Sequence, residues 1–309
     1  MSRVVIALGG NALLRRGDDG SIEVQRHNLE AAARAVVAVE KLGHQVVMTH
    51  GNGPQVGYLS IEANAAADIV PAPPLDVLVA ESQGQIGYLL VSALDAALHR
   101  VRLARRVVAL LTRTWVDADD PAFDAPSKPV GPVYDRETAE RHAAENGWFV
   151  RQDGAGWRRV VPSPRPRGLL EAETIRSLVN GGAIVIASGG GGIPVAWDGE
   201  STKGIEAVVD KDLAAVLLAW AVNADALLLL TDIHAVQRDW RTDHARDVPV
   251  LTVAEVQAGL RSGEFASGSM APKVEAAASF AAGGGFAAIG ALEDAAAILD
   301  GTAGTRFVL

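Results

Sequence analysis

Apolar positions along the chain fall into two alternating textures. Short, mainly hydrophobic runs at residues 4–8, 45–49, 106–112, 183–187 and 226–230 show no polar alternation in their interiors, as in strands buried on both faces. Between them lie longer, often Ala-rich segments with helical spacing: 23–42, 54–67, 76–99, 171–180, 211–223, 253–261 and one entered through Lys273. Gly43 closes the first of these in the usual C-cap place, and Pro54 suits the first turn of the second. The end reads as strand 286–289, helix 292–299 and strand 305–308. Such alternation predicts an α/β fold: a three-layer α-β-α sandwich around a largely parallel sheet. From Trp115 to Arg167 the texture changes. Prolines and charges crowd together and periodicity is lost, which predicts a small protruding subdomain over roughly 115–168.

Three of the strand ends run into glycine: Gly9-Gly10-Asn11, His50-Gly51-Asn52-Gly53 and Ser188-Gly189-Gly190-Gly191-Gly192. Glycine turns at the carboxyl edge of a parallel sheet let a ligand approach the backbone, so one shared phosphate site is expected there. Neither the P-loop pattern nor the Gly-x-Gly-x-x-Gly fingerprint after the first strand is present, which argues against a P-loop ATPase and an ordinary dinucleotide enzyme. His50 stands at one of these turns, where a structural hydrogen bond fits as well as a role in the site. The helix 76–99 carries Glu81-Ser82-Gln83-Gly84-Gln85-Ile86-Gly87-Tyr88. Its glycines cost helical stability, and close packing or a subunit interface explains the motif more simply than catalysis.

Composition sharpens this picture. The net charge of −9 argues against a general nucleic-acid binder, so an anionic substrate must be held by locally concentrated cations. Of 28 basic residues only five are lysines, Lys41, Lys128, Lys203, Lys211 and Lys273. A lysine kept in an arginine-rich chain marks a place for a compact, flexible charge. Three stand in loops or helix starts that suit a site. Lys128 sits in the stiff Pro126-Ser127-Lys128-Pro129 loop, as surface linker or as lid. Lys211 adjoins Asp210 at a helix start, and Lys273 follows Gly268 by a few residues. Two lysines oriented by Asp210 suit phosphoryl transfer, although Asp210 could also be a plain helix cap. The absence of cysteine excludes disulfides and thiolate chemistry. No run of about 18 purely apolar residues appears, so no membrane partner is expected. With no signal-peptide pattern at the start, a cytoplasmic enzyme is the expectation. The histidines show no metal-ligand spacing, so no protein-ligated metal is expected.

Laid out in order, these segments resemble the carbamate kinases of the amino acid kinase family over essentially the whole chain. The resemblance rests on Leu8-Gly9-Gly10-Asn11-Ala12, Thr49-His50-Gly51-Asn52-Gly53-Pro54, Ser82-Gln83-Gly84-Gln85-Ile86-Gly87-Tyr88 and the Lys128 loop. It extends to Gly189-Gly190-Gly191-Gly192-Ile193-Pro194, Val209-Asp210-Lys211-Asp212 and Gly268-Ser269-Met270-Ala271-Pro272-Lys273. It implies a single domain over 1–309, with a carbamate- and phosphoryl-binding half (1–204) and a nucleotide-binding half (205–309). The implied protein is a homodimer catalysing ATP + carbamate ⇌ ADP + carbamoyl phosphate, often run toward ATP, in arginine or other nitrogen metabolism. Mg²⁺ would be held mainly through nucleotide phosphates. Gly9, Gly10, Asn11, Gly51, Asn52 and Gly53 would bind the carbamoyl and phosphoryl groups. Lys128, Lys211 and Lys273 would stabilise the transferring group, and Asp210 would orient the lysines. Ser188, Gly189, Gly190, Thr231, Asp232, Met270 and Lys273 would meet the nucleotide. His234 and Gln237 depart from the family pattern near the expected adenine pocket. A kinase of the same fold acting on another small acid, and a silent nucleotide sensor, are the alternatives.

Overall fold

The structure is a computed structural model and describes residues 2–10, 13–14, 17–240, 242–265 and 270–309. The chain opens with strand β1 (Arg3–Leu8), helix α1 (Ile22–Lys41), β2 (Gln45–His50), α2 (Gly53–Ala65), α3 (Leu75–Arg100), β3 (Val107–Ala109) and β4 (Arg113–Val116). Next come β5 (Lys128–Tyr134), α4 (Arg136–Asn146), β6 (Phe149–Asp153), β7 (Gly156–Val161), β8 (Pro166–Leu169), α5 (Ala172–Asn180), β9 (Ile184–Ile186), β10 (Ile193–Trp197) and β11 (Thr202–Gly204). The last third holds α6 (Lys211–Ala221), β12 (Ala226–Thr231), the hairpin β13 (Gln237–Arg238) and β14 (Arg246–Asp247), β15 (Val250–Thr252) and α7 (Val253–Ser262). It ends with α8 (Met270–Ala282), β16 (Phe286–Ala291), α9 (Ala295–Leu299) and β17 (Thr305–Val308).

Eight strands form the central sheet in the order β15-β17-β16-β12-β1-β2-β9-β3, and β16–β17 is its one antiparallel pair among the described residues. Each central strand feeds two cores, as the unbroken apolar runs require. In β1, Val5 and Ala7 face α5–α8, whereas Val4, Ile6 and Leu8 face α1, α3 and α9. The result is the three-layer sandwich expected from the alternation. Parallel register places Leu8 beside both His50 and Leu230, so the turns after β1, β2 and β12 emerge at one carboxyl edge.

The minor strands differ from the sequence reading. The run 106–112 is not a core strand. Only Val107–Ala109 forms a strand, at the sheet edge; Leu110 still donates its N–H to Ile186 O, and Thr112 bonds to Ser188 and Ile193 around the turn after β9. The proline-rich segment separates into two parts. β5, β7 and β6 form a three-stranded antiparallel sheet covered by α4, whereas β4 and β8 join β10 and β11 in a second, four-stranded sheet. That second sheet and β15 left no periodic signal, because strands of three to five residues lack the length to show one. Helix α3 is long and apolar enough to cross a membrane by length and composition, but half of its apolar window is packed inside the fold.

Candidate active site

The carboxyl edge opens into a cavity of about 280 Å³. Its first wall is made by the turns after β1 and β2. The Gly9 N–H donates to Leu230 O (2.8 Å) and the Gly51 N–H to Leu8 O (3.0 Å), so both are consumed by the sheet. This corrects the expectation that these two amides face an anion. Glycine is needed at 51 for space, since a Cβ there would press on the Gly10 backbone at 3.1 Å and approach Lys211 Cδ at 3.5 Å. The N–H groups of Gly10 and Gly53 donate to no described residue and remain for a ligand. Gly53 opens α2, whose N-cap residue Asn52 makes no side-chain cap bond, so the positive end of that helix faces the cavity uncapped. Asn11 lies outside the described residues.

Opposite stands the charged cluster. Lys128 Nζ donates to Asp210 Oδ2 at 2.6 Å, while Asp210 Oδ1 accepts the Asp212 and Leu213 amides and caps α6. Lys211 and Lys273 donate instead to Asp212, at 2.6 Å to Oδ1 and 3.1 Å to Oδ2. The sequence reading gave Asp210 all the lysines; the structure gives it Lys128 alone and hands the other two to Asp212. Only the repeated acid of Asp210-Lys211-Asp212 could have signalled this. Three ammonium groups against two carboxylates leave one positive charge at the cavity. Burial alone would raise the Asp212 carboxyl, but the Lys211 and Lys273 charges outweigh it and hold it below the usual carboxylate range. Burial pushes Lys273 below the ordinary lysine range, and the Lys211 charge adds to that, against the pull of Asp212.

Behind the first wall, the turn after β9 is tied down carbonyl by carbonyl. Thr49 Oγ1 donates to Ser188 O, Gln83 Nε2 to Gly189 O and Thr114 Oγ1 to Gly191 O, at 2.9, 2.9 and 2.7 Å. These bonds hold Ser188 in the left-handed region at φ 56°, a conformation costly for a side chain. Gly190, at φ 66°, packs against the Asn52 carboxamide, where any Cβ would collide. His50 is fully enclosed beneath this turn, and its Nδ1–H donates to Gly51 O at 2.9 Å. Burial lowers its pKa to about 4 despite that bond, with the Lys211 charge acting in the same direction.

Of the residues expected to meet nucleotide, Gly190, Thr231 and Lys273 line the cavity. Ser188 and Gly189 do not: both are buried behind its wall, beside Thr112, His50 and Gln83. Asp232 is exposed beside Thr231, whose Oγ1 donates to it at 3.0 Å, and Met270 opens α8, one turn before Lys273. His234 pairs with Asp294 at 3.0 Å and Gln237 with Asp247 at 2.9 Å, both at the surface. No group of three or more His, Asp or Glu able to hold a metal occurs among the described residues.

The profile of the amino acid kinase family matches residues 2–289. The chain is 50% identical over 308 residues to the carbamate kinase of Pyrococcus furiosus, covering 98% of each. It is 49% identical to that of Halobacterium salinarum, covering 100% of this chain and 99% of the relative. A solved carbamate kinase from Giardia lamblia bound to AMP-PNP superimposes with a TM-score of 0.92 at 41% identity, over 99% of this chain and 98% of that one.

Proposed function

The chain belongs to the carbamate kinases of the amino acid kinase family, and we propose that it transfers a phosphoryl group reversibly between ATP and carbamate, with ADP and carbamoyl phosphate on the other side. The carrying observation is the cluster of Lys128, Lys211 and Lys273, each on a carboxylate and all lining one cavity with an uncapped helix end opposite.

Transfer between two phosphate-bearing oxygens needs no protein nucleophile. It needs cations placed where charge moves, held so that they do not reorganise during the reaction. Asp212 fixes Lys211 and Lys273 from two different helices, and these two ammonium groups meet the phosphoryl group and the leaving oxygen. Lys128, on β5 of the small sheet, closes over the acceptor side, with Asp210 setting its reach. Gly10 and Gly53 donate backbone N–H groups to phosphoryl oxygens. Residues 1–204 thus supply the carbamoyl side and 205–309 the nucleotide side, where Thr231, Asp232 and Met270 flank the base or sugar. Both cavity carboxylates are engaged by lysines, a donor set suited to metal arriving on the nucleotide phosphates rather than to a cage of its own. Mg²⁺ so bound supplies charge neutralisation at the phosphates. The mixed anhydride of carbamoyl phosphate is a strong phosphoryl donor, which supports running toward ATP.

The full-length protein mixed with ADP, Mg²⁺ and carbamoyl phosphate is expected to yield ATP. No ATP above the blank for spontaneous carbamoyl phosphate decomposition overturns the assignment.

A further inference from the structure

Ser82 and Gln83 come from a helix motif that close packing explains simply, yet Ser82 bonds to Asn52 of the cavity wall and Gln83 to the turn behind it. Gln83 ties Gly189 and Thr112. Ser82 is fully buried, and its Oγ–H donates to Val79 O at 2.6 Å. A carbonyl can only accept, so the single hydroxyl proton is spent there. The 2.8 Å contact between Ser82 Oγ and the Asn52 carboxamide therefore has one possible sense: Asn52 Nδ2 donates and Ser82 accepts. The orientation of the amide follows from this chain of bonds, and Gly190 packs flat against it.

Asn52 also forgoes the usual work of its position. Asparagine at an N-cap ordinarily accepts an amide of the first turn, worth about 1 kcal/mol, but here it makes no such bond. With Nδ2 bound to Ser82, no described residue donates to Oδ1. The carboxylate oxygens lining the cavity are engaged: Asp210 by Lys128 and the α6 amides, Asp212 by Lys211 and Lys273. Among the described residues, the one unengaged side-chain amide or carboxylate oxygen in a cavity otherwise rich in donors is Asn52 Oδ1.

We propose that Ser82 is a positioning residue that holds Asn52 with Oδ1 toward the substrate, where it accepts an N–H of the carbamoyl group and so selects an amino-bearing acid over its methyl isostere. This rests on the reaction proposed above and names the atom that reads the amine. An acetyl group has the same shape but no proton to offer, and it leaves Oδ1 desolvated and unpaired.

The test compares kcat/KM for carbamoyl phosphate and for acetyl phosphate as phosphoryl donors to ADP, in the full-length protein. Asn52→Ala is expected to lower the carbamoyl-to-acetyl ratio by about tenfold or more, the scale of one lost hydrogen bond. Ser82→Ala should lower the ratio too, and should add nothing in an Asn52→Ala background, because it acts through that side chain. A merely structural defect would depress both donors equally. Equal loss with both donors, an unchanged ratio in Asn52→Ala, or a Ser82 effect that adds in full to that of Asn52 overturns the proposal. If Ser82→Ala does not fold, the Asn52→Ala ratio decides. Wild-type protein that makes no ATP from carbamoyl phosphate defeats the reaction assignment instead.

Discussion

Single residues carry the clearest separations between structural and chemical roles. Asp210 and Asp212 stand two positions apart and do different work. Asp210→Asn keeps a good N-cap for α6 and loses a pair with Lys128, whose side chain is 36% exposed. Turnover should fall steeply while the melting temperature moves little. Asp212→Asn leaves two lysines beside a neutral amide, with Lys273 only 4% exposed. Breaking a buried pair costs about 3–5 kcal/mol, so this variant should lose both stability and turnover; equal behaviour of the two in thermal melts would refute the division. His50 gives a pH signature. Its folded pKa of about 4 lies below the reference 6.5, so the unfolded chain takes up a proton in that window and the folded one does not. The stability held by neutral His50 is complete above pH 6.5 and is lost as pH falls toward 4, by about 3 kcal/mol in all. Urea midpoints of His50→Gln should fall less steeply with acid than those of the wild type, and parallel curves would exclude the mechanism. The scarce lysines were legible in the sequence as site residues to consider, and three of them do converge. Asp212 was not, because its partner Lys273 lies 61 residues away on another helix, and spacing cannot say which of two acids caps and which turns inward.

Among elements, length decided what could be read. The five-residue apolar runs within β1 and β12 and the length of the 26-residue α3 are plain in the sequence. β3, β10 and β15 are fixed by partners distant in sequence, β11 is a three-residue strand paired only with β10, and Pro194 within β10 breaks the strand pattern further. The turn after β9 was legible as a glycine loop, but its side-chain ties from Thr49, Gln83 and Thr114 come from three other elements and were not. That loop makes its own prediction. As a control outside it, Gly182, between α5 and β9 at φ 83°, has open space where a Cβ would go, so Gly182→Ala should cost only backbone strain of about 1–2 kcal/mol and keep full turnover. Gly190→Ala carries the same strain and also drives a methyl into the Asn52 carboxamide. Its kcat/KM should collapse well beyond its loss of stability. Equal activity in the two variants would mean that the loop does not set the position of Asn52.

At the scale of the whole molecule, the three-layer architecture followed from alternation alone, whereas the split of the proline-rich segment between two sheets depended on long-range pairing. The remaining question at this scale is what covers α2 and α3. Tyr58 and Ile61 on α2, and Val77 and Tyr88 on α3, are 39 to 61% exposed. Tyr58, Ile61, Glu81 and Gln85 line one shallow depression between the two helices, and Tyr88 continues it one turn further along α3. Isolated apolar side chains on a surface need no explanation, but a run of them across two packed helices does. A homodimer with twofold symmetry would bring this face against itself and remove the run from water in one step. Light scattering behind size exclusion should then give a mass twice that of one chain. Tyr88→Glu places a charge at the middle of the face and, by symmetry, a second one near it. It should shift the mass to that of a single chain with far-UV dichroism preserved. A wild-type mass of one chain, or a Tyr88→Glu variant that stays paired, would mean that this face is not the contact. Complete loss of turnover in a folded monomeric variant would show that pairing also shapes the site.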